Sequence, residues 1–288
     1  MSAFNHVAAS LPDPFRILWR ETVSSTNDEL RALAEKGTAE GLILIADEQT
    51  AGRGRRGAAW LSPKGENLAF SVLLRPTESK ALWHRLSLAA GLAVAEALEA
   101  YVPVAEIKWP NDVRVSGKKI AGILVEAGAD FVIIGIGINV NSTGFPEELA
   151  ATSLREELGE GMDRAEMLHG VINRLSRRAG EIGVGFERML KSIRERCALT
   201  GHRVSFLSAD KRREGVVKGI GTAGELLVEI DGITESLVQA DEVRIVGCER
   251  EAILEHLEDL EDIDLARQRL ERPGHTHTAG EAKGELGL

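Results

Sequence analysis

The chain has 288 residues, 43% of them hydrophobic and 28% charged, which is enough length for about two domains and enough apolar content for buried cores. The formal net charge of −10 argues against a general nucleic-acid binder, because contacts to phosphate need basic surface. Cys197 and Cys248 stand in no metal-ligand spacing and suit a reducing cytoplasm; the start has no signal-peptide character, and no apolar run approaches the ~20 residues of a membrane helix.

Residues 1–15 read as a loose leader containing Pro12 and Pro14. Ser25 to Glu29 opens a helix, with Thr26 and Glu29 spaced as a capping box and Gly37 as the stop. Leu42 to Ala46 and Asn67 to Leu74 are apolar strands, and Leu82 to Tyr101 reads as a long buried helix. Phe131 to Val140 is a strand with glycines at 135 and 137, and 163–198 is mostly helical. The pattern changes at about residue 199. Arg203 to Leu207, Gly215 to Ile220, Leu226 to Ile230, Ile233 to Val238 and Glu242 to Val246 are short strands, with Asp231-Gly232 as a type I′ turn, and together they suggest a small barrel. An acidic amphipathic helix over 250–270 and a Gly-rich, disordered tail are expected beyond it; Glu249 to Leu288 holds 11 acidic and 5 basic residues. The division is therefore a leader (1–15), a larger domain (16–198), a small barrel (199–248) and an acidic extension (249–288).

Four segments bear chemistry. Glu48 to Trp60, EQTAGRGRRGAAW, follows a strand and interleaves Gly52, Gly54 and Gly57 with Arg53, Arg55 and Arg56. Glycines allow close approach to a ligand, and arginines bring forked donors for carboxylate or phosphate. Taken alone, the segment reads first as a solvated basic loop and second as an RNA contact; it is no P-loop, since no Gly-Lys-Ser/Thr follows. In Lys108 to Asp112, KWPND, Pro110 favours extended geometry at Trp109, and Asn111 and Asp112 project from a turn or strand start. Val113 to Glu126 contains a hairpin turn at Ser116-Gly117. Pairing of Val115 with Lys118, Arg114 with Lys119 and Asp112 with Ala121 places Val113, Val115 and Ile120 on one face and Asp112, Arg114 and Lys119 on the other. That charged face is either a solvated surface or a site. Gly135 and Gly137 share a strand face with Asn139, which marks close approach by a ligand or by a packed neighbour.

The ordered set GRGRRG-x-x-W, KWPND, KIAGILVE and GIGIN, preceded by Ser25-Thr26-Asn27, resembles the catalytic domain of bacterial biotin–protein ligases over roughly residues 17–247. The resemblance implies an α+β fold: a mixed β-sheet catalytic domain backed by helices, of the class II synthetase-like or SH2-like kind, plus a small C-terminal SH3-like β-barrel. It implies ATP and biotin as substrates with Mg²⁺, formation of biotinyl-5′-AMP, and transfer to a lysine of a biotin carboxyl carrier domain of a carboxylase. Lys119, Arg53 and Asp112 match the catalytic positions, with Asp112 orienting or deprotonating the incoming amine. Ser25, Thr26, Asn27, Gln49, Gly52, Arg53, Arg55, Arg56 and Gly122 match biotin contacts. Arg55, Trp60, Lys108, Asn111, Lys119 and Asn139 match nucleotide contacts, and no residue is expected to ligate a metal. About fifteen residues precede the catalytic region, too few for a DNA-binding helix-turn-helix, so a single-function cytoplasmic ligase is expected, monomer or homodimer, with neither DNA nor membrane as partner. Lipoate–protein ligase, or a non-enzymatic nucleotide- or RNA-binding module using the arginine loop, are the alternatives; Lys119 and the acidic balance speak against the second.

Overall fold

A computed structural model describes residues 4–60, 62–209 and 211–247. The expected acidic helix and tail lie outside the described residues. A short helix α1 (Asn5–Ala8) precedes β1 (Arg16–Val23), α2 (Thr26–Glu35), β2 (Leu42–Gln49), β3 (Leu68–Leu74) and α3 (Arg85–Leu98). There follow β4 (Glu106–Lys108), β5 (Asp112–Val115), β6 (Lys118–Ala127), β7 (Val132–Ile138), α4 (Leu154–Leu158), α5 (Arg164–Ala179) and α6 (Phe186–Glu195). The second sheet is built from β8 (Arg203–Ser208), β9 (Lys211–Ile220), β10 (Leu226–Ile230), β11 (Ile233–Leu237) and β12 (Asp241–Ile245).

The large sheet has seven strands in the order β1-β2-β3-β7-β6-β5-β4. Only β1 and β2 pair in parallel; the other pairs are antiparallel, so the sheet is mixed, as expected. Its inner strand β3, LAFSVLL, is buried at every position and alternates between two cores. Leu68, Phe70, Val72 and Leu74 face the larger core with α3, α5 and α6, whereas Leu73 faces the smaller one with Leu30 and Ala34 of α2. Helix α3 is buried on most sides because it lies between the sheet and α5. Each fully buried leucine there contributes about 1.5–3 kcal/mol. The helical region expected over 163–198 divides into α5 and α6 around Gly180 and Gly183, and α4, which was not anticipated, is capped by Ser153.

The small sheet is antiparallel in the order β11-β10-β9-β8-β12. Asp231 and Gly232 both have positive φ, 50° and 81°, as the type I′ turn requires. Val204, Phe206, Val217, Leu226 and Val228 join the larger core, and Trp109 Nε1 donates to the Gly224 carbonyl at 3.1 Å, so the small sheet docks against the KWPND segment.

Two local registers differ from expectation. Ser25, not Thr26, caps α2, its Oγ accepting from Asp28 N at 3.4 Å, which frees the Thr26 side chain to face away from the helix end. In the β5–β6 hairpin a bulge follows the Arg114–Lys119 pair, so Val113 opposes Ala121 and Asp112 opposes Gly122 rather than Ala121. The extra residue, Ile120, is fully buried; its apolar side chain takes up the slip.

Candidate active site

Helix α2 has ten residues, roughly 15 Å of axis, and covers the sheet mainly over β2, β3 and β7. Beyond its N-terminus the same sheet face carries Gly122, Gly135 and Gly137, and a cleft of about 790 Å³, counting its open mouth, forms there. The loop 52–60 overhangs it. That loop is a small hairpin of its own: Gly54 N donates to Ala58 O at 2.6 Å and Trp60 N to Gly52 O at 2.9 Å. A side chain at Gly52 would put its Cβ 2.6 Å from the Trp60 carbonyl oxygen, so the closure needs glycine.

The glycine face of β7 is covered by side chains. A Cβ on Gly135 would collide with the Asn27 amide, and one on Gly137 with the Trp60 indole. Close approach was the right reading, with a helix side chain at one glycine and the loop's tryptophan at the other. Trp60 lies against Gly122 as well, where an added Cβ would sit 3.3 Å from its ring, and its buried Nε1 donor has no partner among the described residues.

One wall is a polar chain. Gln49 Oε1 accepts from Thr26 N at 2.8 Å and lies 3.1 Å from Thr26 Oγ1. Ser71 Oγ, fully buried on β3, is 2.7 Å from Thr26 Oγ1 and 2.6 Å from Asn27 Oδ1; with a single proton it donates to the Asn27 oxygen and accepts from Thr26. Asn27 Nδ2 in turn donates to Glu126 Oε2 at 2.7 Å. Arg53 runs along the same wall in a forked pair with Asp28, both contacts at 2.5 Å, and reaches Glu126 at 3.3 Å. Hydrogen bonding to Asp28 foremost raises the Arg53 pKa above its ordinary value; burial opposes, and the charges of Glu126 and Asp28 add to the rise. Its charge is thus already matched by carboxylates.

The opposite wall is the β5–β6 hairpin. Lys119 Nζ is 2.9 Å from Asp112 Oδ1 and 5.9 Å from the centre of the Trp60 ring. The Asp112 side chain is 18% exposed. Burial pushes its carboxyl upward, but the charges of Lys119, Lys108 and Arg114 and the hydrogen bond from Lys119 outweigh burial and hold it below the usual carboxylate range. Asn111 Nδ2 donates to the Ile123 carbonyl at 3.1 Å and lines the cleft beside Asp112.

The fold thus brings Ser25, Thr26, Asn27, Gln49, Arg53 and Arg55 together with Trp60, Asn111, Asp112, Lys119 and Gly122. Gly52, Arg56, Lys108 and Asn139 do not line the cleft. Asn139 is 6% exposed and gives its amide to the Thr152 carbonyl at 3.1 Å, bracing the segment that leads to α4. Lys108 acts on the cleft through the charge it directs at Asp112, its partner in the β4–β5 register. Arg56 turns away to Asp241 of β12, 2.8 Å off, and Arg55 reaches the other oxygen of the same carboxylate at 2.6 Å. Sequence reasoning missed Ser71, Asp28, Glu126 and Asp241. A lone serine in an otherwise apolar strand, a carboxylate directly after the Ser-Thr-Asn run and the acid closing KIAGILVE were available signals; Asp241 had none.

The site joins an overhanging glycine–arginine loop, a paired lysine and aspartate on a bulged hairpin, and a polar wall at a helix start. It belongs to a class of ligases: the profile of the Biotin/lipoate A/B protein ligase family matches residues 19–141. Among relatives, the Bifunctional ligase/repressor BirA of Bacillus spizizenii is 35% identical over 236 residues, 78% of this chain and 73% of that one. The Biotin--[acetyl-CoA-carboxylase] ligase of Mycobacterium tuberculosis is 35% identical over 241 residues, 79% and 90% of the two chains. The biotin protein ligase from Aquifex aeolicus in complex with biotin and ATP superposes with a TM-score of 0.72 at 35% identity, covering 80% of this chain and 98% of that one. This chain belongs to the biotin protein ligase family.

Proposed function

We infer that the chain is a biotin–protein ligase that adenylates biotin with ATP, releasing pyrophosphate, and passes the biotinyl group to a lysine of a carboxylase's biotin carboxyl carrier domain. The observation that carries this reading is the convergence of sequence-distant motifs on one cleft, with Lys119 beside both Asp112 and Trp60. Relatives named as ligases and a structural neighbour holding biotin and ATP support it.

A carboxylate is a poor electrophile, so it must first become a mixed anhydride. A biotin carboxylate oxygen bonds to the α-phosphorus and the bond to pyrophosphate breaks. Both reactants are anionic, and a fixed cation between them offsets the charge that gathers in the transition state. We assign that place to Lys119, whose ammonium is held on the hairpin by Asp112. In the second step the carrier's lysine amine attacks the acyl carbon, AMP leaves and the amine loses a proton. A carboxyl held below its usual range is a weaker proton acceptor, so we assign Asp112 to orienting Lys119 and the incoming amine.

Thr26 and Gln49 form the polar end suited to a ureido ring, and Trp60 with Asn111 forms the side suited to adenine. Arg53 anchors the base of the loop through Asp28 and Glu126, while Arg55 and Arg56 carry the lid that keeps water from the anhydride. Among the described residues there is no group of three or more His, Cys, Asp or Glu able to hold a metal. Mg²⁺ belongs to this reading as a companion of the triphosphate. No helix among the described residues is long and apolar enough to cross a membrane. A cytoplasmic enzyme, monomer or homodimer, acting on a carrier protein and not on DNA completes the proposal.

ATP–pyrophosphate exchange measured with biotin, with lipoate and with no acid tests it. Exchange only with biotin, followed by biotinylation of a carrier lysine seen by mass spectrometry, is the expected result. Exchange with lipoate alone would make the chain a lipoate–protein ligase, and exchange with neither would leave a nucleotide-binding module.

A further inference from the structure

The overhanging loop is fastened at two places of different kind. Its base is held by Arg53 against Asp28 and Glu126, close to the cleft. Its tip reaches across to the small sheet, where Arg55 Nη2 meets Asp241 Oδ1 at 2.6 Å and Arg56 Nη2 meets Asp241 Oδ2 at 2.8 Å. Arg55 Nη2 also donates to the Ala240 carbonyl at 3.3 Å. Asp241 is 10% exposed, so this carboxylate is sequestered beneath the two guanidinium groups it serves. Arg56 takes a left-handed backbone conformation, φ 53° and ψ 19°, which places its side chain beside that of Arg55. A non-glycine residue in that region is strained and persists only when its surroundings hold it. Two adjacent guanidinium charges repel each other, and among the described residues Asp241 pairs with both. No backbone hydrogen bond joins the tip to the small sheet among the described residues.

We propose that Asp241 is a positioning residue, lent by the small sheet, that holds the arginine tip of loop 52–60 closed over the cleft and so governs how long a bound adenylate is retained. Its effect on the adenylate rests on the ligase reading; its effect on the loop does not. Loss of the carboxylate leaves the base anchored, so the cleft keeps its walls while the tip opens. Adenylation itself, which uses Lys119, continues.

The test pairs hydrogen exchange over residues 52–60 with single-turnover assays of the full chain. Asp241→Asn and, from the loop side, Arg55→Gln with Arg56→Gln are expected to speed exchange about tenfold, the equivalent of ~1.4 kcal/mol of local opening. Asp241→Glu keeps the charge and should fall nearer the parent. Glu229→Gln, which breaks the Lys218–Glu229 pair elsewhere in the small sheet, should leave the loop's exchange unchanged. With biotin and ATP, Asp241→Asn should form adenylate at near the parent rate but release several-fold more of it into solution. Parent-like exchange in a folded Asp241→Asn overturns the proposal; should that variant not fold, parent-like exchange in the loop-side double variant does so. A parent protein that makes no biotinyl adenylate refutes the ligase reading, and the exchange data still decide the role of Asp241.

Discussion

Two cationic elements border the cleft and are made in opposite ways, the rigid wall of the β5–β6 hairpin and the mobile wall of the loop tip that overhangs it. Lys119 stands on a hairpin whose strands pair continuously from β4 to β7, so its position is set by ladder hydrogen bonds, one bulge and a buried Ile120. Arg55 and Arg56 stand on a short turn whose outward contacts are ion pairs to a residue far along the chain. A charge fixed by a sheet needs no rearrangement when chemistry begins, which suits transition-state stabilisation. A charge fixed by partly exposed ion pairs can be released and re-formed, which suits a lid.

The largest effect should come from the rigid wall. Lys119→Ala is expected to lower adenylate formation by on the order of a hundredfold or more, as for loss of an oxyanion-type donor, and to lower the melting temperature modestly, because Asp112 loses its nearest cation. Single-turnover rates and a thermal melt check this, and near-parent adenylation would remove Lys119 from its place. The mobile wall should respond differently. Arg55→Gly should keep adenylation measurable but raise free biotinyl-AMP several-fold, read by chromatography of the filtrate; no rise would refute the lid.

A third measurement separates the walls by pH. The folded-state pKa of Asp112 is depressed, so the ionised form is favoured by folding. Its contribution is complete above the ordinary carboxylate pKa, about 3.9, and is lost as pH falls through the lower folded value. Asp112→Asn should therefore be less stable at neutral pH and lose less further stability on acidification, measured by urea unfolding at pH 7 and near pH 3. Identical pH slopes in the two proteins would contradict the pairing. The smallest effect is expected at the hairpin turn. Gly117 has φ 77°, and Gly117→Ala should cost about 1 kcal/mol of stability without altering adenylation, because the ladder and not the turn places Lys119.

Much of the molecule was legible in the chain. The strands of the small sheet, strands β2, β3 and β7 of the large one, the Asp231-Gly232 turn, the Ser116-Gly117 hairpin and the shared face of Asp112, Arg114 and Lys119 follow from apolar runs, period-two alternation and turn chemistry, which act over a few residues, whereas β1 and β4 were not read from the sequence. The motif set brought most of the cleft residues to attention before any coordinate. The sequence alone misplaced the cap of α2 by one residue and the Asp112 register by one, because Ser25 and Thr26 can both cap a helix and a bulge leaves no local mark once both flanking residues are tolerated. Asn139 gives its amide to Thr152 inside the fold, a partner that no spacing along the chain records.

Local patterns in the sequence determined the kinds of elements and the residues with chemical capacity, because propensity, periodicity and capping are short-range. Only the tertiary structure decided how the charges are shared: Arg53 with Asp28 and Glu126, Lys119 with Asp112, and the arginine tip with Asp241. Ion pairing falls steeply with separation and depends on burial, so it is settled by which strands and loops the fold brings within a few ångströms, and no spacing along the chain records that.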